Sequence, residues 1–448
     1  MDKDKSMYVN KYSLEDVIEI SIEALKGFDN NKSIREALYN AFNKYPSSSI
    51  SSRRLSLKIV KELIRRRNVI RFLVNKELKE CKGIEKEIKL FLEILFYKKF
   101  YEKISYEDIL ELIKIARKIF GYKKFGNIEN YIGKIFSISL KEEIPKKESF
   151  NYFCPEWFIK YTYKIFGRKK AINFLRKINE EKPIYIRINT LIDNEEKILS
   201  KISSEGVKII KDKRLKHLYK VKSTNKPLSL LTSYKNGFFV IEDFSSIFCI
   251  EALKPMPGEK ILDICAAPGI KTSHIAQLMN NNGIIFSIDS SYYRIKEFKK
   301  NMEKLKVKIA LPILADATKE MPIKINVDKI LVDPPCSNTG AFWNDPSLKW
   351  IINYNKIKKF SFLQEKILEE ASKYVKNGGI IIYSTCSITI EENERIIEKF
   401  LRIHPDFSLE EIDLGIGSSG LRGLNECKRL YPHLHECNGF FIAKLKKK

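Results

Sequence analysis

The chain has 448 residues, 44% hydrophobic and 11% aromatic, and its 82 Lys and Arg outnumber 56 Asp and Glu for a formal net charge of +26. This is a globular composition with ample core for roughly two to four domains. No run of about 18 apolar residues occurs, which excludes a membrane-spanning helix, and the charge excess points to a polyanionic partner, nucleic acid ahead of membrane.

The N-terminus, MDKDKSMYVNKYS, lacks the apolar core of a signal peptide. Residues 1–142 carry helical periodicity only, over Leu14–Leu25, Ile34–Phe42, Leu55–Val74 and Ile84–Phe100. Ser105 with Asp108 predicts a capped start for a further helix, whose Ile109, Leu112, Ile113, Ala116 and Phe120 share one face. The expectation is an all-helical domain. Arg53, Arg54, Arg65, Arg66, Arg67 and Arg71 make its third helix basic. A solvated face and a phosphate-contacting face are equally good readings of that stretch.

The polar segment KEEIPKKES (141–149) is a domain boundary by composition. After it, residues 155–179 predict two short helices broken near Gly167. IYIRINTL (184–191) alternates as a strand, and residues 195–210 read as helix, glycine turn and strand. A small α+β domain over 150–236 is expected, with Arg187 and Asn189 on one sheet face, either at a solvent-facing edge or toward RNA.

From residue 237 to 448 the pattern is α/β, with a parallel sheet. ILDICAAPGIKT (261–272) is a strand, a small-residue loop and a helix start, an arrangement that lets backbone approach a ligand. GIIFSID (283–289) ends in Asp289, a carboxylate placed to accept both hydroxyls of a ribose diol. VKIALPILADA (307–317) brings Asp316 within reach of a base edge. KILVDPPCS (329–337) ends in Asp333 and Cys336, and NGGIIIYSTCS (377–387) ends in Cys386. Ligands of open parallel sheets lie beyond the carboxyl ends of the strands, so these acids and both cysteines are expected around one crevice. The eight cysteines form no CxxC pair. That argues against zinc or a disulfide framework, and for a reducing, cytoplasmic setting in which a thiol can be catalytic. His433 and His435 lack partner ligands with metal spacing, so no metal is expected.

The segments DICAAPGIKTSHIA, DPPCSNTG, YSTCSITIEENE and RLYPHLHECNGFFIAKL, in this order, resemble the Sun/RsmB-type family of RNA (cytosine-5) methyltransferases. PEWF, IRINTL and GFFVIEDFSS extend the resemblance back to about Pro155. The helical N-terminal region resembles, more weakly, the NusB-like domain of RsmB members, whose last helix would fall on GNIENYIGKIFS (126–137). The resemblance implies a Rossmann-like S-adenosylmethionine-dependent catalytic domain, preceded by a small RRM-like domain and a NusB-like one. It assigns the nucleophile to Cys386 and a resolving role to Cys336. Asp333 would bind cytosine near ring nitrogen 3 and also line the cofactor pocket. Cys265, Ala266, Ala267, Pro268, Gly269, Ile270 and Lys271 would hold the methionine end of the cofactor, Asp289 the ribose and Asp316 the adenine, with Arg294 beside them. DNA cytosine methyltransferases use the cysteine of a Pro-Cys motif instead, which would favour Cys336.

The sequence departs from the family in four places. Ile270 stands where a second glycine is usual, and a β-branched residue there is expected to be helical or extended. Asn338 replaces a glycine, AFWNDPSLKW (341–350) replaces a segment with two arginines, and Glu242 stands where glutamine is common. The expected activity is 5-methylcytosine formation in small-subunit ribosomal RNA by a monomer, with transfer RNA as the alternative substrate. A non-catalytic RNA-binding assembly factor is disfavoured by Asp333, Cys336 and Cys386 all being present.

Overall fold

The computed structural model describes residues 12–30, 32–79, 83–126 and 144–448. They divide into two compact units: residues up to Asn179 together with Asp345–Ile351, and Glu180–Asn344 together with Ile352–Lys448.

The first unit is helical: Leu14–Asp29, Ile34–Lys44, Ile50–Arg65, Arg67–Glu77, Lys86–Tyr97, Tyr106–Phe120 and Glu156–Lys177 are its main helices. Serines 13, 33, 49 and 105 cap four of them. At the last, Ser105 Oγ accepts from Asp108 N (3.1 Å) and Ser105 N donates to Asp108 Oδ2 (2.9 Å), the reciprocal capping box expected there. Val17, Ile18, Leu63, Ile70, Phe91, Leu95 and Leu112 are buried together. The stretch Leu55–Val74 is two helices, divided at Arg66. The helix expected over 126–137 falls, apart from Gly126, outside the described residues.

Arg54 of the arginine-rich stretch is exposed, whereas Arg65, Arg66, Arg67 and Arg71 follow neither of its two readings. Arg65 and Arg67 are buried. Arg67 pairs with Asp29, Arg71 bridges Asp29 (2.8 Å) and Glu93 (3.0 Å), and Arg65 and Arg66 share Glu62. Guanidinium planes match carboxylates in pairs, so these cations neutralise acids from other turns and helices of the same unit.

The second unit contains two sheets. In the smaller, β1 (Ile184–Ile188), β2 (Val207–Lys211), β3 (Leu218–Thr224) and β4 (Phe239–Ile241) run antiparallel in the order β2-β3-β1-β4. Arg187 is neither at an edge nor free for RNA. It is fully buried and donates to Glu242 Oε2 (2.8 Å), Ser273 Oγ (2.8 Å) and Gln277, which ties β1 to helix Ile270–Leu278. Glutamate at 242 therefore gives a buried guanidinium its countercharge. Asn189 is buried as well, donating to Gly237 O and Leu305 O (both 3.0 Å).

The larger sheet holds β5 (Lys260–Ile264), β6 (Ile284–Asp289), β7 (Ala310–Leu314), β8 (Val327–Val332), β9 (Val375–Thr385), β10 (Phe407–Glu410), β11 (Ser418–Ser419), β12 (Lys428–Leu430) and β13 (Phe440–Lys447). Its order is β11-β12-β13-β9-β8-β5-β6-β7, with β10 on β13. Strands β5 to β9 are parallel and β13 is antiparallel to β9. Helices cover both faces of a parallel sheet, so its strands are apolar on both sides. Ile261, Leu262, Ile264, Ile330, Leu331, Val332, Ile381 and Ile382 are accordingly buried, each contributing about 1.5–3 kcal/mol by its removal from water. The chain proceeds outward from β5 through β6 to β7, then returns as β8 on the other side of β5. This reversal opens a crevice at the carboxyl ends of β5 and β8.

Candidate active site

The loop after β5 forms one wall of the crevice. Cys265 has φ 65° and Gly269 φ 96°. The positive φ demands glycine at 269, and a Cβ there would also stand 2.9 Å from the Phe298 ring. Ile270 opens helix Ile270–Leu278 without positive φ, in agreement with the helical alternative. No side chain caps this helix, so its first N–H groups are free to receive an anion. Thr272 Oγ1 donates to Asp263 Oδ2 (2.5 Å), pinning the helix to β5. Burial pushes the Asp263 carboxyl up to about 7, against that hydrogen bond. Burial also pushes the Cys265 thiol up to about 12, with Asp333 adding to the effect.

Asp289 ends β6 with a buried carboxylate, which accepts from Ala267 N (3.3 Å) and Ser291 N (3.0 Å). Arg294 pairs with it (3.1 Å) and also donates to Ala267 O, so this arginine braces the loop. Asp316, beyond β7, is exposed and accepts from Thr318 N (3.0 Å) and Oγ1 (2.7 Å). The Thr318 hydrogen bonds hold its carboxyl below the usual range.

Asp333 follows β8 directly. Its Oδ2 lies 2.5 Å from Lys271 Nζ and its Oδ1 accepts from Ser384 Oγ (3.0 Å). Burial opposes the charge on Lys271, yet Asp333 outweighs it and the ammonium's pKa is raised. The Lys271 head therefore engages a carboxylate of the crevice.

Cys336 and Cys386 meet at the ends of β8 and β9, with their sulfurs 3.1 Å apart. Cys336 is buried and Cys386 partly exposed. The hydrogen bond to Cys386, then burial, raises the Cys336 pKa well above the ordinary thiol value. Asn338 has φ 54°, a left-handed conformation that asparagine tolerates better than most residues, which explains how it replaces glycine. Its Oδ1 accepts from Cys386 Sγ (2.7 Å) and its Nδ2 donates to Cys336 O (3.2 Å). Gly340 N donates to Cys386 O (2.9 Å), and Gly439 N to Gly340 O (2.9 Å). A Cβ at Gly340 would lie 2.0 Å from Gly439 O, so the Cys336 loop meets the segment before β13 through bare backbone.

Sequence reasoning missed what holds these loops together. The residue after each cysteine is a serine, and both serines donate to one buried carboxylate, Glu392. It accepts from Ser337 N (2.8 Å), Ser337 Oγ (2.5 Å), Ser387 Oγ (2.7 Å), Thr389 Oγ1 (2.7 Å) and Gln364 Nε2 (3.1 Å). Asn393 accepts from Thr385 Oγ1 (2.6 Å) and donates to Ser387 O (2.9 Å). Glu394 forms a fully buried pair with Arg429. The signal was present: an acidic run a few residues after a Ser/Thr cluster, on a segment otherwise apolar. Of AFWNDPSLKW, residues 345–350 belong to the helical unit. There Lys349 Nζ donates to Asn179 Oδ1 (2.6 Å) and Trp350 Nε1 to Ile64 O (2.8 Å). His435 Nδ1 accepts from Tyr431 N (2.8 Å), a local use of that nitrogen.

A parallel sheet with a reversal at β5 and β8, carboxylates at its strand tips and paired thiols across the crevice defines a nucleotide-cofactor transferase architecture. Residues 250–446 match the family described as 16S rRNA methyltransferase RsmB/F. A Bacillus subtilis relative, "probable ribosomal RNA small subunit methyltransferase B", is 27% identical over 447 residues, covering 96% of this chain and 99% of that one. The Schizosaccharomyces pombe 25S rRNA (cytosine-C(5))-methyltransferase nop2 is 33% identical over 64% of this chain. The tRNA (cytosine(72)-C(5))-methyltransferase of Pyrococcus horikoshii is 39% identical over 49% of it. The chain spans 49% and 55% of the lengths of these last two relatives. The crystal structure of PH0851 superimposes with a TM-score of 0.82 at 28% identity, covering 98% of this chain and 100% of that one. Over residues 250–446 the chain is therefore similar to the RsmB/F family, a family of S-adenosylmethionine-dependent methyltransferases, and its fold there is Rossmann-like.

Proposed function

We propose that the protein is an RNA cytosine-5 methyltransferase that forms 5-methylcytosine in small-subunit ribosomal RNA. The observation that carries the chemistry is the pair of reduced thiols at the ends of β8 and β9, 3.1 Å apart, one buried and one accessible. The relative that aligns over nearly the whole of both chains is named for small-subunit ribosomal RNA, which favours that substrate. The second reading, transfer RNA, draws on the 39%-identical Pyrococcus relative, whose match covers about half of each chain.

The chemistry of the donor set fits S-adenosylmethionine. The uncapped helix start after Gly269 suits its carboxylate, Asp289 its ribose hydroxyls and Asp316 its adenine edge, while Cys265–Lys271 line the methionine end. When bound, that cofactor supplies an electrophilic methyl group. Cys386, the more accessible thiol, adds through its thiolate to carbon 6 of a cytosine turned out of its stack, making carbon 5 nucleophilic. Asp333, aligned by Lys271 and Ser384, hydrogen-bonds the ring near nitrogen 3 and steadies the charge that addition creates. After methylation, loss of the carbon 5 proton restores the ring and expels the Cys386 thiolate. Cys336, kept as a thiol by its surroundings, assists this release. Residues 1–142 are read as a NusB-like RNA-binding domain, 150–236 as an RRM-like domain and 237–448 as the catalytic domain. The protein is read as a cytoplasmic monomer; among the described residues no helix is long and apolar enough to cross a membrane.

The test is a pair of variants on in vitro transcribed 16S ribosomal RNA. Cys386→Ser abolishes methyl transfer and keeps cofactor affinity, whereas Cys336→Ser accumulates a covalent protein–RNA adduct. An adduct that disappears with Cys336 and persists without Cys386 would swap the two roles.

A further inference from the structure

One helix pair outside the crevice carries a dense run of cations. Glu156–Lys177 carries Lys160, Lys164, Arg168, Lys169, Lys170, Arg176 and Lys177 against a single acid, Glu156. The first six of these cations are exposed. Only Arg168 has an acidic partner among them, Glu148 at 3.2 Å, and both members of that pair are open to solvent. Lys160, Lys164, Lys169, Lys170 and Arg176 form no ion pair among the described residues.

Two comparisons within the protein give this stretch its meaning. In the Arg65–Arg71 stretch of the same unit, Asp29, Glu62 and Glu93 neutralise the guanidinium groups. The helix Tyr354–Ser372 sets three acids in its second half, Glu365, Glu369 and Glu370, against four lysines, Lys356, Lys358, Lys359 and Lys366. In Glu156–Lys177 like charges accumulate instead, with Lys160 and Lys164 one helical turn apart, a spacing at which they repel. The helix breaks at Gly167 (φ 70°, ψ 160°), a backbone that favours glycine, and four of the six exposed cations lie beyond the break. Every exposed residue of the stretch is polar or glycine: Glu156, Lys160, Lys164, Gly167, Arg168, Lys169, Lys170, Asn173 and Arg176. A membrane-surface helix needs exposed apolar side chains to insert, and the apolar side chains of this one are buried or only partly exposed. Unneutralised cations on a rigid, non-inserting face match a phosphate backbone.

We infer that the helix pair Glu156–Lys177 is the phosphate-contacting face for the RNA substrate, a role that the Arg65–Arg71 stretch cannot fill because its charges are spent internally. This rests on the RNA-directed function proposed above and names the surface that serves it. Contacts of this kind position the RNA without reading its sequence.

The experiment compares full-length wild type with the variant Lys164→Ala, Lys169→Ala, Lys170→Ala, Arg176→Ala. Binding to unmethylated 16S ribosomal RNA transcribed in vitro is measured against KCl concentration, alongside methyl transfer. The slope of log affinity on log salt should become shallower by roughly 2–3, from about 0.7 per lost single-strand phosphate contact. The KM for RNA should rise at least about tenfold while the KM for S-adenosylmethionine stays fixed. A control with Lys164→Arg, Lys169→Arg and Lys170→Arg should keep the wild-type slope. An unchanged slope in the alanine variant, with wild-type methylation intact, overturns the surface alone. Wild-type binding without methylation, its slope still lost in the variant, overturns the activity and leaves the surface standing. Wild-type protein that fails to bind RNA overturns both.

Discussion

The thiol crevice and the helical unit each bury polar networks, built on different principles. In the crevice, one carboxylate, Glu392, collects neutral donors from the loops of both cysteines, each bond short and directional. In the helical unit, Asp29 and Glu93 face Arg67 and Arg71, and the requirement there is charge balance. The first arrangement fixes positions to a fraction of an ångström, as a reaction between two loops demands. The second permits burial of charge and leaves geometry looser. Disturbing the crevice should therefore cost chemistry, and disturbing the helical unit should cost stability.

The largest effect on methyl transfer is expected from Cys386→Ala, a fall of roughly 10⁴-fold or more, measured as label transferred from S-adenosylmethionine to RNA. Glu392→Gln keeps the shape of the hub but replaces an acceptor with a donor, and should lower kcat about 10²-fold by misplacing both thiols. Its KM for cofactor should be unchanged, and the rate of adduct formation should fall with kcat; a stability loss with normal kcat would make Glu392 merely structural. Gly340→Ala sets a Cβ against Gly439 O and should cost about 1–3 kcal/mol in the denaturation of the catalytic unit, with a smaller loss of activity.

The smallest effect on chemistry is expected from Lys349→Met in the helical unit. Burial lowers the Lys349 pKa to about 8 from an ordinary 10.5. Between these values the unfolded chain binds the proton more tightly than the folded one, so stability rises with pH through the window and is lost as pH falls through 8. The methionine variant should lack that rise when unfolding midpoints are followed from pH 7.5 to 10.5, and should methylate normally. A variant that retains the wild-type rise would refute the assignment to Lys349.

The contrast also explains what could be read from the amino-acid order. The parallel strands of the large sheet were legible because a strand buried on both faces is a continuous apolar run, and Asp289, Asp333, Cys336 and Cys386 stand where such runs end; the short β10, β11 and β12 were not. Helical Ile270 was legible from the steric cost of positive φ on a β-branched residue. The fate of Arg67 and Arg187 was not, because their partners are remote in sequence: Asp29 lies 38 residues from Arg67 and Gln277 lies 90 from Arg187. Glu392 was visible as part of an acidic run, but its role depends on Ser337, 55 residues earlier, arriving beside Ser387.

The central claim is that this crevice places a methyl group on carbon 5 of a cytosine in small-subunit ribosomal RNA. Bisulfite sequencing of unmethylated 16S ribosomal RNA, after incubation with the protein and S-adenosylmethionine, tests it most directly. One cytosine should become resistant to conversion with wild type and remain sensitive with Cys386→Ala. Complete conversion with both proteins, or equal protection with both, would contradict the account.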